Sequence, residues 1–195
     1  MIEKKISEVQ IELGDILGYH NPKWLGRAIQ WATTGWHEKP SVLSHCGVFV
    51  NMGALENVNI VEALVPQGVT YRKFIDGYEN GENCYILKPL NLNDIHRALI
   101  ANYAYKQINK PYGYFKILGQ LIDGTIAKIA RVKDVFWFRR IFNSEHFPIC
   151  SYLVAHAYEE AGLDFGESDN YTNPDEIYDW AEVHPDKYEI IKIIT

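Results

Sequence analysis

The feature that most constrains this 195-residue chain is the segment from Phe147 to Gly162, which places a cysteine at the start of a helix. Pro148 ends the preceding segment, apolar residues follow Cys150 at helical spacing, and Gly162 is a favourable C-terminal stop. Backbone N–H groups and the helix dipole stabilise an anion at a first turn, which lowers a thiol's pKa. The segment therefore predicts either a nucleophilic Cys150 or a buried cysteine that begins a core helix.

The composition is that of one globular domain. Hydrophobic residues make up 47% of the chain, aromatic residues 13% and charged residues 23%. The net charge is −6, and the sequence contains no long run of like charges. Both features argue against a nucleic-acid partner. We therefore expect a single domain over residues 1–195 that does not bind nucleic acid.

Neither the N-terminus nor the cysteines indicate export. The first eight residues lack the apolar core of a signal peptide, and no later run approaches the roughly 18 apolar residues of a membrane-spanning helix. Cys46, Cys84 and Cys150 are odd in number and irregularly spaced, which fits neither a disulfide framework nor a zinc site. We therefore expect a cytoplasmic protein with no transmembrane segment, no metal and no cofactor.

Hydrophobic periodicity predicts both strands and helices. The predicted strand segments are 9–19, broken at Gly14-Asp15, then 42–50, 58–65, 84–90 and 188–194, with a short extended run at 69–71. The segment 84–90 is expected to complete an antiparallel meander. The predicted helices are 21–32, 93–108 and the Cys150 helix, and 115–140 also has apolar residues at helical spacing.

Two polar side chains interrupt otherwise apolar predicted strands. Glu62 lies within Ile60-Val61-Glu62-Ala63, where a carboxylate is costly to bury without a partner. His45 lies in the neighbouring strand, and the two can project from the same sheet face, as an imidazole and its orienting carboxylate must. A cysteine hydrolase requires that pair beside a thiolate, whereas a lone strand histidine is more often a satisfied core residue.

A series of short sequence blocks is similar to the motifs of NlpC-type papain-like cysteine hydrolases, in cyclically shifted order. The blocks in chain order are Gly14-Asp15-Ile16-Leu17, Ser44-His45-Cys46-Gly47-Val48, Glu62-Ala63, Gly68-Val69, Lys110-Pro111-Tyr112, Cys150-Ser151 and Asn173-Pro174-Asp175. In the unpermuted members, the tyrosine and cysteine blocks come first. The chain therefore resembles the circularly permuted, YiiX-like subgroup, which includes relatives of lecithin retinol acyltransferase.

The resemblance implies an α+β, permuted papain-like fold. An antiparallel meander sheet or small barrel would pack against a helix that carries the catalytic cysteine at its N-terminus, with a helical insertion at about 115–147. The resemblance assigns Cys150 as nucleophile, His45 as base, Glu62 as the third polar residue and Tyr112 as the tyrosine near the nucleophile.

The chain departs from the family pattern at two positions. Ile149 stands where unpermuted peptidases have Asp, which bears on whether the substrate resembles peptidoglycan. Cys46 stands where Val is commoner. Strand alternation puts Cys46 on the face opposite His45, so Cys46 is expected to face away from the cleft.

The resemblance implies a thiol-dependent hydrolase, a cysteine peptidase or amidase that forms a thioacyl-enzyme intermediate. A lipid-directed thiol acyltransferase or esterase is an alternative, because 115–140 combines an apolar face with basic residues that suit peripheral membrane contact. An amphipathic helix pair packed on the core gives the same pattern. A non-catalytic binding module that retains the cleft is another alternative. The sequence leaves the substrate open among peptide, amide and lipid ester, and it leaves the oligomeric state open.

Overall fold

The structure of the chain is a computed structural model, which describes residues 1–22, 42–113, 125–126, 129, 149–166 and 172–195. The helix predicted at 21–32 lies outside the described residues except for its first two positions. The insertion predicted at 115–147, with its proposed membrane contact, lies outside them except for residues 125–126 and 129. Among the described residues, no helix is both long and apolar enough to cross a membrane.

A seven-stranded sheet forms the centre of the fold, and a two-stranded sheet lies beside it. The strands are β1 (Ile2–Lys5), β2 (Gln10–Ile11), β3 (Ile16–Tyr19), β4 (His45–Phe49), β5 (Gly53–Ala54), β6 (Asn59–Leu64), β7 (Gly68–Lys73), β8 (Cys84–Pro89) and β9 (Tyr188–Ile194). The order in the large sheet is β1-β9-β8-β3-β4-β6-β7, and β2 pairs with β5. The pairing of β1 with β9 is parallel and the others are antiparallel.

The sheet topology corrects the predicted meander. Strands β3, β4, β6 and β7 follow one another as expected, but β8 pairs with β3 and β9 and not with β7. Ile16 and Leu17 of β3 are fully buried, and backbone groups in so buried a strand need hydrogen-bonded neighbours on both sides. The described strands form an open sheet with edges at β1 and β7, and not the small barrel that was the other expectation.

The described residues also form helices whose ends are set by local sequence. These are α1 (Phe74–Gly77), α2 (Asp94–Gln107), α3 (Cys150–Glu159) and α4 (Pro174–Val183). The Asn93 side chain caps α2 by accepting the N–H of His96. Asn173 and Glu176 form a capping box at the start of α4, with Pro174 at its first position. The sequence analysis did not predict α4, and it predicted α2 and α3 correctly.

Alternating residues of the sheet supply two hydrophobic clusters. Val48 and Val61 belong to a cluster that also contains Leu153 of α3. Phe49 and Ile60 belong to a second cluster that packs with α1. Burying each large apolar side chain contributes about 1.5–3 kcal/mol. The strongly apolar helix α3 is therefore held against β4 and β6, and this packing positions its first residue.

Candidate active site

The N-terminal residue of α3 is Cys150. Ile149 precedes it in extended conformation, with φ −102° and ψ 170°, and the helix packs on β4 and β6. Cys150 is 6% exposed, so its thiol lies at the positive end of a helix dipole and beside the sheet. Helix formation and the burial of the α3 face together place the sulfur.

Strands β4 and β6 bring a histidine and a carboxylate together. Gly47 lies opposite Glu62 in the antiparallel register, and His45, two residues before Gly47, points to the same side. A Cβ at Gly47 would lie 2.9 Å from the Ile60 Cδ1 atom and 3.0 Å from the Glu62 Cβ atom, so glycine leaves the room that Glu62 needs. His45 Nε2 and Glu62 Oε2 are 2.6 Å apart.

The Glu62 carboxylate is fully buried and satisfied by several donors. Arg72 Nε donates to Oε1 at 2.6 Å, and the Tyr78 hydroxyl donates to Oε2 at 2.6 Å. Burial would raise the pKa of Glu62, but the hydrogen bond and charge of His45, the charge of Arg72 and the Tyr78 bond outweigh it and lower the pKa. Glu62 is therefore ionised in the folded protein.

The imidazole of His45 contacts this carboxylate and interacts with the Cys150 thiol. Burial would lower the pKa of His45, but the charge of Cys150 and hydrogen bonds with Cys150 and Glu62 raise it to about 10. Because Nε2 contacts Glu62, Nδ1 is the ring nitrogen left for the thiol. The geometry therefore favours an imidazolium paired with a thiolate.

Cys46 is a correction to the sequence analysis, since it contacts the Cys150 thiol and does not face away from it. Helix α3 packs on the sheet face from which Cys46 projects, and both cysteines belong to the same hydrophobic cluster. The Cys46 side chain lies close enough to the Cys150 thiol to lower its pKa. Strand alternation predicted the face correctly, but which helix covers that face is decided by tertiary packing.

The pKa of Cys150 lies well below its usual value. The hydrogen bond from the Cys46 thiol contributes most; burial opposes the shift, and the charge and hydrogen bond of His45 add to it. Burial raises the pKa of Cys46 well above its usual value, so Cys46 stays a protonated donor. Of the two adjacent thiols, Cys150 is the one that ionises.

Replacing Cys46 by valine, which fills the same place without an S–H donor, is expected to raise the pKa of Cys150. Losing one hydrogen bond to the thiolate predicts a shift of about one pH unit toward the ordinary value. The rate of Cys150 alkylation against pH measures this shift. Cys84→Val is the matched control, because Cys84 is buried in the other hydrophobic cluster. A Cys46→Val protein with the wild-type alkylation profile would contradict the prediction.

Tyr112 lies on the loop that follows α2. The Val69 N–H donates to the Lys110 carbonyl and the Asn109 N–H donates to the Val69 carbonyl, both at 2.9 Å, so the loop is tied to β7. A Cβ at Gly68 would lie 2.3 Å from the Lys110 oxygen, and that close approach requires glycine. Tyr112 is 6% exposed and shares the hydrophobic cluster of Cys150. Its role near the nucleophile stays a prediction.

Of the four residues predicted for the site, the structure brings Cys150, His45 and Glu62 together and places Tyr112 in the same cluster as Cys150. Sequence reasoning missed Arg72 and Tyr78, which carry no periodic or motif signal and meet Glu62 only through strand register and the turn after β7. The expectation that a carboxylate within an apolar strand requires a partner is met at Glu62, which contacts His45.

Within the described parts of the chain, no group of three or more His, Cys, Asp and Glu side chains is arranged to hold a metal ion. His45 Nε2 and both Glu62 oxygens are already engaged by one another, by Arg72 and by Tyr78. These residues do not fit a metal centre.

Comparisons with known proteins show similarity of fold. No protein-family model matches the sequence, and a search of curated proteins finds no match. The crystal structure of the metalloprotein YiiX from Escherichia coli O157:H7, DUF1105, is similar, with a TM-score of 0.51 and 21% identity over 80% of this chain and 69% of that chain. This likeness confirms the expectation of a YiiX-like, mixed α and β fold.

Proposed function

We propose that the chain is a cysteine hydrolase of the peptidase or amidase type, on a circularly permuted, NlpC-like papain fold. The observation that carries the proposal is the 2.6 Å contact between Glu62 and His45, together with the charge interaction between His45 and Cys150. The YiiX-like fold supports it. The residues assigned by resemblance also lie together, since His45 contacts Glu62 and interacts with Cys150. A thiolate, an imidazole and an orienting acid are the groups that nucleophilic catalysis by cysteine requires.

In the proposed mechanism, His45 takes the proton of Cys150 and leaves a thiolate–imidazolium pair. The thiolate attacks the substrate carbonyl, a C–S bond forms, and the carbonyl electron pair moves to oxygen. The backbone N–H of Cys150 at the helix start donates to this oxyanion, with the Tyr112 hydroxyl as a second donor. As the oxyanion collapses, the bond to the leaving amine or alcohol breaks and His45 supplies its proton.

The second half of the proposed cycle releases the acyl group. His45, now neutral, takes a proton from water, and the resulting hydroxide attacks the thioester carbonyl. The C–S bond breaks, the acid leaves, and the thiolate–imidazolium pair is restored. Glu62 orients the imidazole and balances its charge in both half-reactions without changing its own protonation.

Alkylation of the full chain by iodoacetamide across pH, with mass spectrometry of each cysteine, tests this proposal. Cys150 is expected to react as a thiolate at pH values well below the ordinary thiol value of about 8.5. Cys84 provides an internal comparison, since burial and the Glu62 charge raise its pKa. A panel of activated peptide, amide and lipid-ester probes should then leave an acyl group on Cys150.

The labelling distinguishes turnover from binding. A Cys150 thiol that titrates near about 8.5 and accepts no acyl group would favour a non-catalytic binding module and contradict the proposal. An acyl group on Cys150 from lipid esters alone would identify the lipid-directed alternative.

A further inference from the structure

The Glu62 carboxylate has more partners than its contact with His45 requires. Oε2 accepts from both His45 Nε2 and the Tyr78 hydroxyl, and Oε1 accepts from Arg72 Nε. A carboxylate with both oxygens engaged in short, charge-assisted hydrogen bonds has one orientation. Glu62 is fully buried, so water does not take over these contacts when one is lost.

Arg72 is built into this position by its surroundings. It lies on β7 opposite Ile60 of β6, and its guanidinium carbon is 5.2 Å from the centre of the Tyr78 ring. A Cβ at Gly77 would lie 2.3 Å from that same guanidinium carbon, so a glycine makes room for the guanidinium. The guanidinium therefore lies against both Tyr78 and Gly77.

Tyr78 reaches Glu62 because the short helix α1 turns the chain back after β7. The Phe74 N–H donates to the Val58 carbonyl at 2.9 Å, which fixes the start of the turn. The Tyr78 ring stacks on Phe74 at 5.4 Å and meets Tyr19 edge-on at 5.0 Å. Its hydroxyl is directed at the carboxylate by this packing.

We propose that Arg72 and Tyr78 are positioning residues, which keep Glu62 ionised and keep its Oε2 atom directed at His45. They act through Glu62 and not on the reacting atoms. This inference rests on the proposed function, because it explains how the acid of the proposed Cys150–His45–Glu62 triad holds its charge in a buried site.

The charged groups around Glu62 predict how the pKa of Glu62 changes when Arg72 is replaced. The titratable or charged groups that act on Glu62, or on which it acts, are His45 and Cys46 of β4, Arg72 of β7, Tyr78 after α1 and Cys84 of β8. Arg72 is the permanent cation among them, so removing it raises the pKa of Glu62. Glu62 then takes a proton on mild acidification, the imidazolium loses its counter-charge, and the Cys150 thiolate loses its partner.

The test is the rate of Cys150 alkylation by iodoacetamide against pH, in the full chain, for Arg72→Met, Arg72→Lys and Tyr78→Phe. The acid limb is the part of the profile where the alkylation rate falls as the pH is lowered. Arg72→Met is expected to move this limb to higher pH by about one unit, since a nearby opposite charge lowers a carboxyl pKa by about 1–3 units. Arg72→Lys restores the charge and should return most of the shift. Tyr78→Phe removes one hydrogen bond and should move the limb the same way by less.

Lys73→Met is the matched control, because it removes a neighbouring positive charge from an exposed position on the same strand. Circular dichroism establishes that each variant is folded. If Arg72→Met does not fold, the alkylation profiles of Arg72→Lys and Tyr78→Phe are used to test the inference. A folded Arg72→Met protein with the wild-type acid limb, or a Lys73→Met protein with an equal shift, would overturn the inference. An ordinary thiol titration in the wild-type protein would instead overturn the proposed function.

Discussion

Replacing Cys150 by alanine is expected to reduce turnover by at least about 10⁴-fold, for whichever probe substrate acylates the wild-type protein. Alanine keeps the helix α3 and its packing, because a small apolar side chain suits the buried first turn. The substitution removes the atom that would form the acyl-enzyme, so acylation stops while substrate binding persists. Steady-state turnover together with intact-mass detection of the acyl-enzyme measures both effects.

Cys84→Ala is the control for this prediction. Cys84 is also buried and carries the same thiol, but it lies on β8 in the second hydrophobic cluster. Its replacement is expected to leave turnover per folded molecule unchanged. Purified Cys150→Ala protein that keeps wild-type turnover would refute the assignment of the nucleophile.

Replacing His45 by glutamine is the second large expected effect, with a loss of about 10²–10⁴-fold in turnover. Glutamine retains polar contact with Glu62 but carries no positive charge and exchanges no proton. The charge and hydrogen bond of His45 lower the pKa of Cys150, so their removal should raise that pKa. Cys150 alkylation at acidic pH should therefore slow in parallel with turnover.

The wild-type pH profile follows from the same contacts. The His45 pKa of about 10 means that the imidazolium persists through neutral pH and loses its proton near pH 10. Because this imidazolium would protonate the leaving group, turnover should decline above that pH, and it should decline at low pH as Cys150 takes a proton.

His184→Gln is the control for His45→Gln, since His184 contacts the Trp180 carbonyl on α4. Equal losses in the two variants would contradict a specific role for His45.

Local patterns in the sequence were sufficient to predict most of the elements that carry the site. The periodicity of apolar residues predicted α2, α3, β4, β6 and β9, because burial of one face depends on residues only a few positions apart. The start of helix α4 could also have been predicted, because Asn173, Pro174 and Glu176 are typical of a helix start. This segment was interpreted only as a family motif.

The charge environment of the site could not be predicted in the same way. Arg72 and Tyr78 meet Glu62 because β6 and β7 pair in a particular register and α1 turns back toward the sheet. Cys46 meets Cys150 because α3 covers one face of β4. Each contact joins residues from different elements, and a single sequence carries no local pattern for such a contact.

The sequence by itself determined that a cysteine begins a helix and that a histidine and an acid lie on neighbouring strands. Only the tertiary structure decided that β8 crosses to the far side of β3, that Cys46 lies beside Cys150, and that Arg72 and Tyr78 surround Glu62. The physical reason is the separation along the chain of the residues that interact. Helix and strand formation depends on neighbours along the chain, whereas strand order, burial and the pKa values of the buried groups depend on residues that only folding brings together.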